Sequence, residues 1–198
     1  DNFLRFFTYE ILPWPIRREG VLSGTYGVSF SWQSVLQWAR EIFLEEGWKG
    51  IRNTVVLTQM VLVGTGVFTL LSFPFSCRHF TANFCNRISH GVLIVLRTTP
   101  EYILAYVLVQ LWGPSMLPAV WAIVLHNGAI LAFLSSNNAD LFQLRLDAPH
   151  KRLDRYFYEI LPRTYGQFLA FLFYRWEVMM RESAILGILG IYTLGFYI

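Results

Sequence analysis

The sequence predicts an all-α protein whose helices cross a membrane. Of its 198 residues, 55% are hydrophobic and only 15% are charged, whereas soluble domains carry about 25% charged residues. The apolar residues are collected in runs long enough to span a bilayer, which takes roughly 20 helical residues. Aromatic residues make up 17% of the chain, and many Trp residues lie near the ends of these runs, where interfacial belts form.

The first 53 residues are predicted to form an extracytoplasmic or interfacial segment. Between positions 35 and 43, apolar residues recur at helical spacing, with Arg and Glu residues around them. This pattern is typical of an amphipathic helix that lies at the membrane surface or packs on neighbouring protein. We expect this helix to end at Gly47, since glycine is the usual residue just after a helix.

Residues 54–198 are predicted to form the membrane core. Four apolar stretches are expected to be transmembrane helices: residues 54–76, 88–112, 114–135 and 165–198. The first has no charged residue, and the last is long enough to consist of two pieces, with a break expected around Arg181 to Ser183.

Two polar stretches, residues 77–87 and 136–164, are expected on the same side of the membrane because the spans alternate in direction. The hairpin between the second and third spans has no charge, so positive-inside counting makes the polar side cytoplasmic. The N-terminal segment also carries several basic residues, which leaves the orientation open.

Two sets of Arg and Glu residues lie inside these apolar stretches, at positions 97 and 101 and at positions 175 to 182. A charged side chain at the bilayer centre costs roughly 2.5–3.5 kcal/mol, so such groups face protein or water. They are candidates for the wall or gate of a translocation path, with a kink expected at the intervening proline. The candidates are Arg97, Pro100, Glu101, His126, Arg175, Glu177, Arg181 and Glu182.

Helical spacing predicts the partners within these sets. Residues four apart share a helix face, so Arg97 is expected to pair with Glu101, and Glu177 with Arg181. Arg175 and Glu182, which are seven apart, also share a face. A simpler interpretation remains open, in which the pairs only dock helices together or pack against partner subunits. His126 is either a hydrogen-bonded packing residue or a substrate contact.

No cofactor or metal is expected on this chain. A Walker-type phosphate loop is missing from the sequence, so the chain is not expected to hydrolyse nucleotides. No second His or Cys stands at metal-ligand spacing, and Cys77 and Cys85 are expected to be free thiols. The net charge of +3 is spread along the chain, which argues against a nucleic-acid surface.

Three stretches of the core combine charged or polar residues with apolar ones in a distinctive order: LRTTPE at 96–101, LHNG at 125–128, and FYRWEV at 173–178 with Arg181 and AILGI at 184–188. Together they resemble permease subunits of type I ABC importers, in the branch that takes up phosphonate, phosphite and hypophosphite. The resemblance implies a polytopic helix bundle of that kind. A final helix of the family is missing and the chain starts without Met, so we expect the bundle to be incomplete at both ends.

The resemblance also implies the setting in which such a subunit works. It implies ATP-driven import of a small phosphorus oxyanion across a bacterial inner membrane. The subunit is expected to contact the lipid of that membrane. The implied partners are a second permease subunit, expected to be an identical copy, two ATPase subunits that hold ATP and Mg, and a periplasmic binding protein. No nucleic acid is implied.

In this family a cytoplasmic loop couples the permease to its ATPase, and here it corresponds to residues 136–164. The family ending Leu-Pro is present at 161–162, but the Glu-Ala pair is absent, which favours phosphite or hypophosphite relatives. A short helix from Asn138 to Leu146 is expected to serve as the lever. The implied coupling residues are Asn138, Asp140, Leu144, Arg145, Asp147, Ala148 and Pro149.

Two other functions are compatible with intramembrane arginines. The first is an ion-coupled anion transporter. The second is an intramembrane enzyme acting on lipid phosphates through His126 and the arginines, although the sequence offers no evident Ser/His/Asp or Cys/His set for it.

Overall fold

The computed structural model describes residues 3, 6, 7, 11, 17–19, 26–28 and 31–197. Within it the chain forms two units, Asp1–Lys49 and Gly50–Ile198. The division falls a few residues before the predicted boundary at residue 53. Most of the predicted N-terminal segment before residue 31 lies outside the described residues.

The N-terminal unit contains a small β-ribbon and one helix. Strand β1 (Arg17–Glu19) pairs antiparallel with β2 (Tyr26–Val28). Helix α1 (Trp32–Arg40) continues as a π-helical stretch (Glu41–Gly47). The amphipathic helix is therefore present, but the expectation that it ends at Gly47 is wrong, because helical residues follow directly from Trp48.

The second unit is a bundle of helices, which agrees with the all-α prediction. Its helices are α2 (Trp48–Ser76), α3 (Asn83–Thr98), α4 (Glu101–Trp112), α5 (Met116–Asp140), α6 (Arg152–Arg155), α7 (Leu161–Ile185) and α8 (Leu194–Tyr197). A π-helical stretch (Tyr156–Ile160) joins α6 to α7, and a 3-10 turn (Leu186–Leu189) follows α7.

Three helical segments of the described chain are long and apolar enough to cross a membrane: Trp32–Ser76, Met116–Asp140 and Arg152–Phe196. The pair α3 and α4 makes a fourth if it is counted as one span, although it is bent by 94°. The predicted stretch 88–112 is thus two helices rather than one. Its break lies at Pro100, which has no N–H to donate and forces Thr99 into an extended conformation.

Helix α5 is the centre of the bundle and packs against α3, α4 and α7. Many of its buried residues are alanines, which allow neighbouring helices to approach closely. Leu57 and Val61 of α2 join Ile123 of α5 and Met179 of α7 in one apolar cluster. The core therefore ties the first long helix of the unit to the last.

The break in the last apolar stretch lies at Gly190, not at Arg181 to Ser183 as the sequence predicts, because α7 continues to Ile185. Gly190 has a φ of +78°, a left-handed conformation that glycine tolerates best. The chain then turns back, and α8 lies so close to α7 that a Cβ on Gly195 would be 2.0 Å from the carbonyl oxygen of Ala184.

Two hydrogen bonds join this returning segment to the start of α2. The Asn53 side-chain amide donates to the carbonyl of Tyr192 over 3.0 Å. The backbone N–H of Leu194 donates to the hydroxyl of Thr54 over 2.9 Å. The returning segment is therefore held at both α7 and α2.

The two polar stretches of the core meet at one end of the bundle, as the alternation of spans predicts. The Arg155 guanidinium donates to the carbonyls of Pro149, at 3.1 Å, and His79, at 3.3 Å. The predicted lever helix from Asn138 to Leu146 is wrong, because α5 continues to Asp140 and the following residues form an irregular loop as far as Lys151.

Candidate functional site

Three polar side chains form a closed set between α5 and α7. Asn127 is completely buried, and its amide joins the other two. Its Oδ1 accepts a hydrogen bond from Nε of Arg175, and its Nδ2 donates to Oε2 of Glu182 over 2.8 Å. Nη2 of Arg175 lies 3.6 Å from Oε1 of Glu182. The predicted shared face of Arg175 and Glu182 thus exists, with an amide between them.

The His126 side chain lies at the break between α3 and α4 and contacts backbone carbonyls at the end of α3. Its Nδ1 lies 2.9 Å from the carbonyl of Thr99 and 3.4 Å from that of Leu96. A carbonyl oxygen can only accept, so Nδ1 carries the proton. Nε2 on the other side of the ring is 3.9 Å from Oε2 of Glu101, the first residue of α4. His126 is therefore a hydrogen-bonded packing residue that also faces a carboxylate.

These two groups of side chains meet. Ligand atoms of Glu101, His126 and Glu182 all lie within 4.8 Å of one another. We call the set Glu101, His126, Asn127, Arg175 and Glu182 the intramembrane polar cluster. It combines a fixed cation, two carboxylates and a titratable ring. A divalent cation could use the same three oxygen and nitrogen donors, but the guanidinium beside Glu182 would repel it.

The remaining candidates of the first charged set are positioned differently. Helical spacing predicts that Arg97 pairs with Glu101. This prediction is wrong, because the helix breaks between the two residues. The Arg97 guanidinium instead lies over the ring of Phe133, 4.1 Å from the centroid, a favourable cation–π position. Pro100 contributes the break itself, so its predicted effect on the helix is observed.

The predicted pair Glu177 and Arg181 forms, with 2.7 Å between the two charged groups. It lies outside the polar cluster, on a face of α7 where the two side chains are 70% and 73% exposed. The four charged candidates on α7 thus divide into two pairs. Arg175 and Glu182 are mostly buried, whereas Glu177 and Arg181 are exposed.

The predicted coupling residues lie in or beside the loop that follows α5. Asn138 donates to the side chain of Gln167, and Asp140 contacts the segment after α2. Leu144 packs against the cluster around Tyr156, and Arg145 lies 3.8 Å from Glu159. Asp147 is exposed, while Ala148 and Pro149 are half-buried.

Two functional candidates were missed by the sequence reasoning. Asn127 carries no charge, and its available signals were an amide inside an apolar stretch and its place in the LHNG stretch at 125–128. Glu159 is buried and bonds to Arg163 over 2.8 Å, while Arg163 also donates to the carbonyl of Gln143 over 3.0 Å. This pair holds the loop after α5 against the start of α7, and its i, i+4 spacing was the available signal.

No family model matches the chain. It is 27% identical over 114 residues to the phosphite transport system permease protein PtxC of Stutzerimonas stutzeri, covering 55% of this chain and 42% of that protein. It is 26% identical over 149 residues to the phosphate-import permease protein PhnE of Mycolicibacterium smegmatis, covering 69% of this chain and 27% of that protein. The chain therefore spans less than half the length of either relative.

The fold is similar to that of a chain in the crystal structure of an amino acid ABC transporter with histidines. The TM-score is 0.63 at 16% identity, over 84% of this chain and 80% of that one. At this identity the likeness concerns the fold alone. The chain is a multi-pass membrane protein that is similar in sequence to phosphite and phosphate permeases and has the fold of an ABC transporter chain.

Proposed function

We propose that this chain is the membrane permease subunit of an ATP-driven importer for a small phosphorus oxyanion such as phosphite, phosphonate or hypophosphite. The observation that carries the proposal is the intramembrane polar cluster, read together with the similarity to phosphite and phosphate permeases. An oxyanion in a low-dielectric layer requires cationic or N–H partners, and Arg175 provides them.

Arg175 is suited to this role because its hydrogen-bonding capacity is only partly used. A guanidinium has five N–H donors. Within the described chain, Nε is bonded to Asn127 and Nη2 faces Glu182, whereas Nη1 has no hydrogen bond. The side chain is still 22% exposed. It therefore has donors to offer an anion without leaving its position.

The two carboxylates of the cluster keep the binding of an anion weak, which suits a transport path better than a tight binding site. An anion that approaches Arg175 also meets Glu182 and Glu101, which repel it and weaken its binding. Conduction requires a site from which the solute can leave. Asn127 holds Arg175 and Glu182 in fixed orientations, so this balance does not depend on mobile side chains.

The proposed partners follow from this function. They are a second permease subunit, most simply an identical copy, two ATPase subunits that bind ATP and Mg, and an extracytoplasmic binding protein that delivers the anion. The chain itself would hold no nucleotide and would lie in the bacterial inner membrane. Leu146, at the tip of the loop after α5, is fully exposed, and we assign it to contact with the ATPase.

The experiment that tests the function is purification of the complete protein from its native membrane, followed by an ATPase assay in lipid vesicles. We expect an ATPase subunit to copurify and its activity to rise when a binding protein loaded with phosphite, phosphate or phosphonate is added. An ion-driven transporter or an intramembrane enzyme would copurify with no ATPase, and that result would refute the proposal.

A pair of variants tests the role of Arg175. Arg175→Gln removes the charge at the polar cluster and should abolish uptake of the labelled oxyanion while the complex still assembles. Arg181→Gln is the matched control, because it makes the same change six residues further along the same helix, in an exposed ion pair that contributes little. Loss of uptake only in Arg181→Gln would place the path on the exposed face instead.

A further inference from the structure

A second polar cluster lies at the loop end of the bundle, outside the proposed path. It consists of Cys77 and His79, which follow α2, and Asp140, the last residue of α5. One ligand atom from each of these side chains lies within 4.8 Å of the other two. We propose that this cluster is a binding site for Zn²⁺ or a similar borderline-soft divalent metal ion.

The donor set fits such an ion. Thiolate sulfur, imidazole nitrogen and carboxylate oxygen are the three ligand types that Zn²⁺ takes from proteins, with water able to fill a fourth position. Tetrahedral Zn²⁺ places its ligand atoms roughly 3.5 Å apart. Sγ of Cys77 is already 3.2 Å from Oδ1 of Asp140, and the half-buried His79 has a ring nitrogen within 4.8 Å of the thiol and of a carboxylate oxygen.

The surroundings orient two of the ligands. The backbone N–H of Arg78 donates to Oδ1 of Asp140 over 2.8 Å, which fixes the carboxylate. A ring nitrogen of His79, Nε2, lies 3.2 Å from the carbonyl of Ala139. Because that carbonyl can only accept, Nε2 is the protonated nitrogen and the lone pair is on Nδ1. Outer contacts of this kind are typical of metal sites.

An ion reaches the buried Cys77 through His79 and Asp140, which are only partly buried. The second oxygen of Asp140 is 3.8 Å from Nε of Arg78, whose side chain is 80% exposed. Exposed ion pairs of this type contribute little to stability, so the guanidinium can move aside. On binding, the proton of the Cys77 thiol passes to solvent and a sulfur–metal bond replaces the thiol–carboxylate hydrogen bond.

The chain contains its own control for this proposal. Cys85 is the other cysteine, and it is free and exposed, whereas Cys77 is buried. Sequence spacing does not predict a metal here, since Asp140 is 63 positions from Cys77 and one His and one Cys do not make a recognisable motif. The fold brings the third ligand to them.

The test uses the purified full chain in detergent, titrated with Co²⁺ as a spectroscopic substitute for Zn²⁺. We expect a thiolate-to-cobalt charge-transfer band that Zn²⁺ abolishes by displacement. The band should persist in Cys85→Ser and disappear in Cys77→Ser. A wild-type protein with no such band, or a band that survives Cys77→Ser, would overturn the proposal.

A second variant keeps the test decisive if Cys77→Ser fails to fold. His79→Gln retains an N–H that can reach the Ala139 carbonyl but removes the nitrogen ligand. Loss of an outer-shell partner weakens metal binding about 10–100-fold, so loss of this direct ligand should weaken Co²⁺ binding at least about tenfold. Unchanged Co²⁺ affinity in His79→Gln would show that the three residues do not act as one site.

Discussion

At the scale of single residues, the opposite charges of Arg175 and Glu182 depend on one uncharged amide. Asn127 touches both Arg175 and Glu182 and lies in the middle of the central helix. An ion pair at 3.6 Å in a low-dielectric environment is weakly favourable at best, because desolvation opposes it. The amide supplies the hydrogen bonds that make burial of the two charges tolerable.

Replacement of Asn127 by Ala should therefore destabilise the protein. It leaves the Arg175 Nε and one Glu182 oxygen without their partner, and an unsatisfied buried polar group costs about 1–3 kcal/mol, more when it is charged. The measurement is thermal unfolding in detergent, with Asn137→Ala as the control on an exposed position of the same helix. Equal shifts in Tm for the two variants would contradict the assignment.

The sequence predicts the charged residues of the polar cluster but only one of the contacts between them. Arg175 and Glu182 share a face because seven positions make two helical turns, so this pairing follows from spacing alone. The pairing of Arg97 with Glu101 fails because the same argument assumes an unbroken helix. Asn127 escapes notice because it carries no charge and has no partner at helical spacing, so only its buried contacts show its role.

At the scale of secondary structure elements, breaks in the helices are set by backbone chemistry rather than by charge. The charged groups that interrupt an apolar run predict a break at Arg181 to Ser183. Charged side chains do not interrupt backbone hydrogen bonds, so α7 continues. The breaks occur at Pro100, which lacks an N–H, and at Gly190, which adopts a left-handed conformation.

The close packing of α8 on α7 gives a prediction at this scale. Gly195→Ala would place a methyl group 2.0 Å from the Ala184 carbonyl oxygen, so α8 must shift, at a cost of about 1–3 kcal/mol. Gly166→Ala is the matched control, since a Cβ there meets nothing within 4 Å. It should leave stability unchanged or slightly raised.

Unfolding transitions in detergent and hydrogen exchange of residues 190–197 would measure these effects. We expect Gly195→Ala to lower Tm and to increase exchange in that segment, while Gly166→Ala does neither. Faster exchange in both variants, or in neither, would show that the close contact between Gly195 and Ala184 does not hold α8 in place.

At the scale of the whole molecule, the length of the apolar runs predicts three of the long helices and the end at which the polar stretches meet. The fourth predicted span, 88–112, is a pair of helices bent by 94°, which run length does not predict. The form of the loop after α5 does not follow, because it is fixed by contacts between distant positions. Arg155 and Arg163 hold that loop by donating hydrogen bonds to backbone carbonyls. Every residue has such a carbonyl, so the sequence does not indicate which ones accept.

The exposed tip of this loop gives a prediction for the assembled transporter. Leu146→Ser should lower the ATPase stimulation by loaded binding protein severalfold, because it removes the apolar side chain assigned to contact with the ATPase. Leu111→Ser is the control, since Leu111 is also exposed but lies at the other end of the bundle. ATPase activity of the reconstituted complex with and without binding protein is the measurement, and wild-type stimulation in Leu146→Ser would refute the assignment.

The two hydrogen bonds that join Asn53 and Thr54 to the returning segment have a consequence for biogenesis. Their partners Tyr192 and Leu194 are 139 and 140 positions later in the chain, so contacts that complete the first long helix of the bundle are encoded near its far end. During synthesis, that helix enters the translocon or the lipid before Tyr192 and Leu194 exist, so these two contacts form only after the returning segment has left the ribosome.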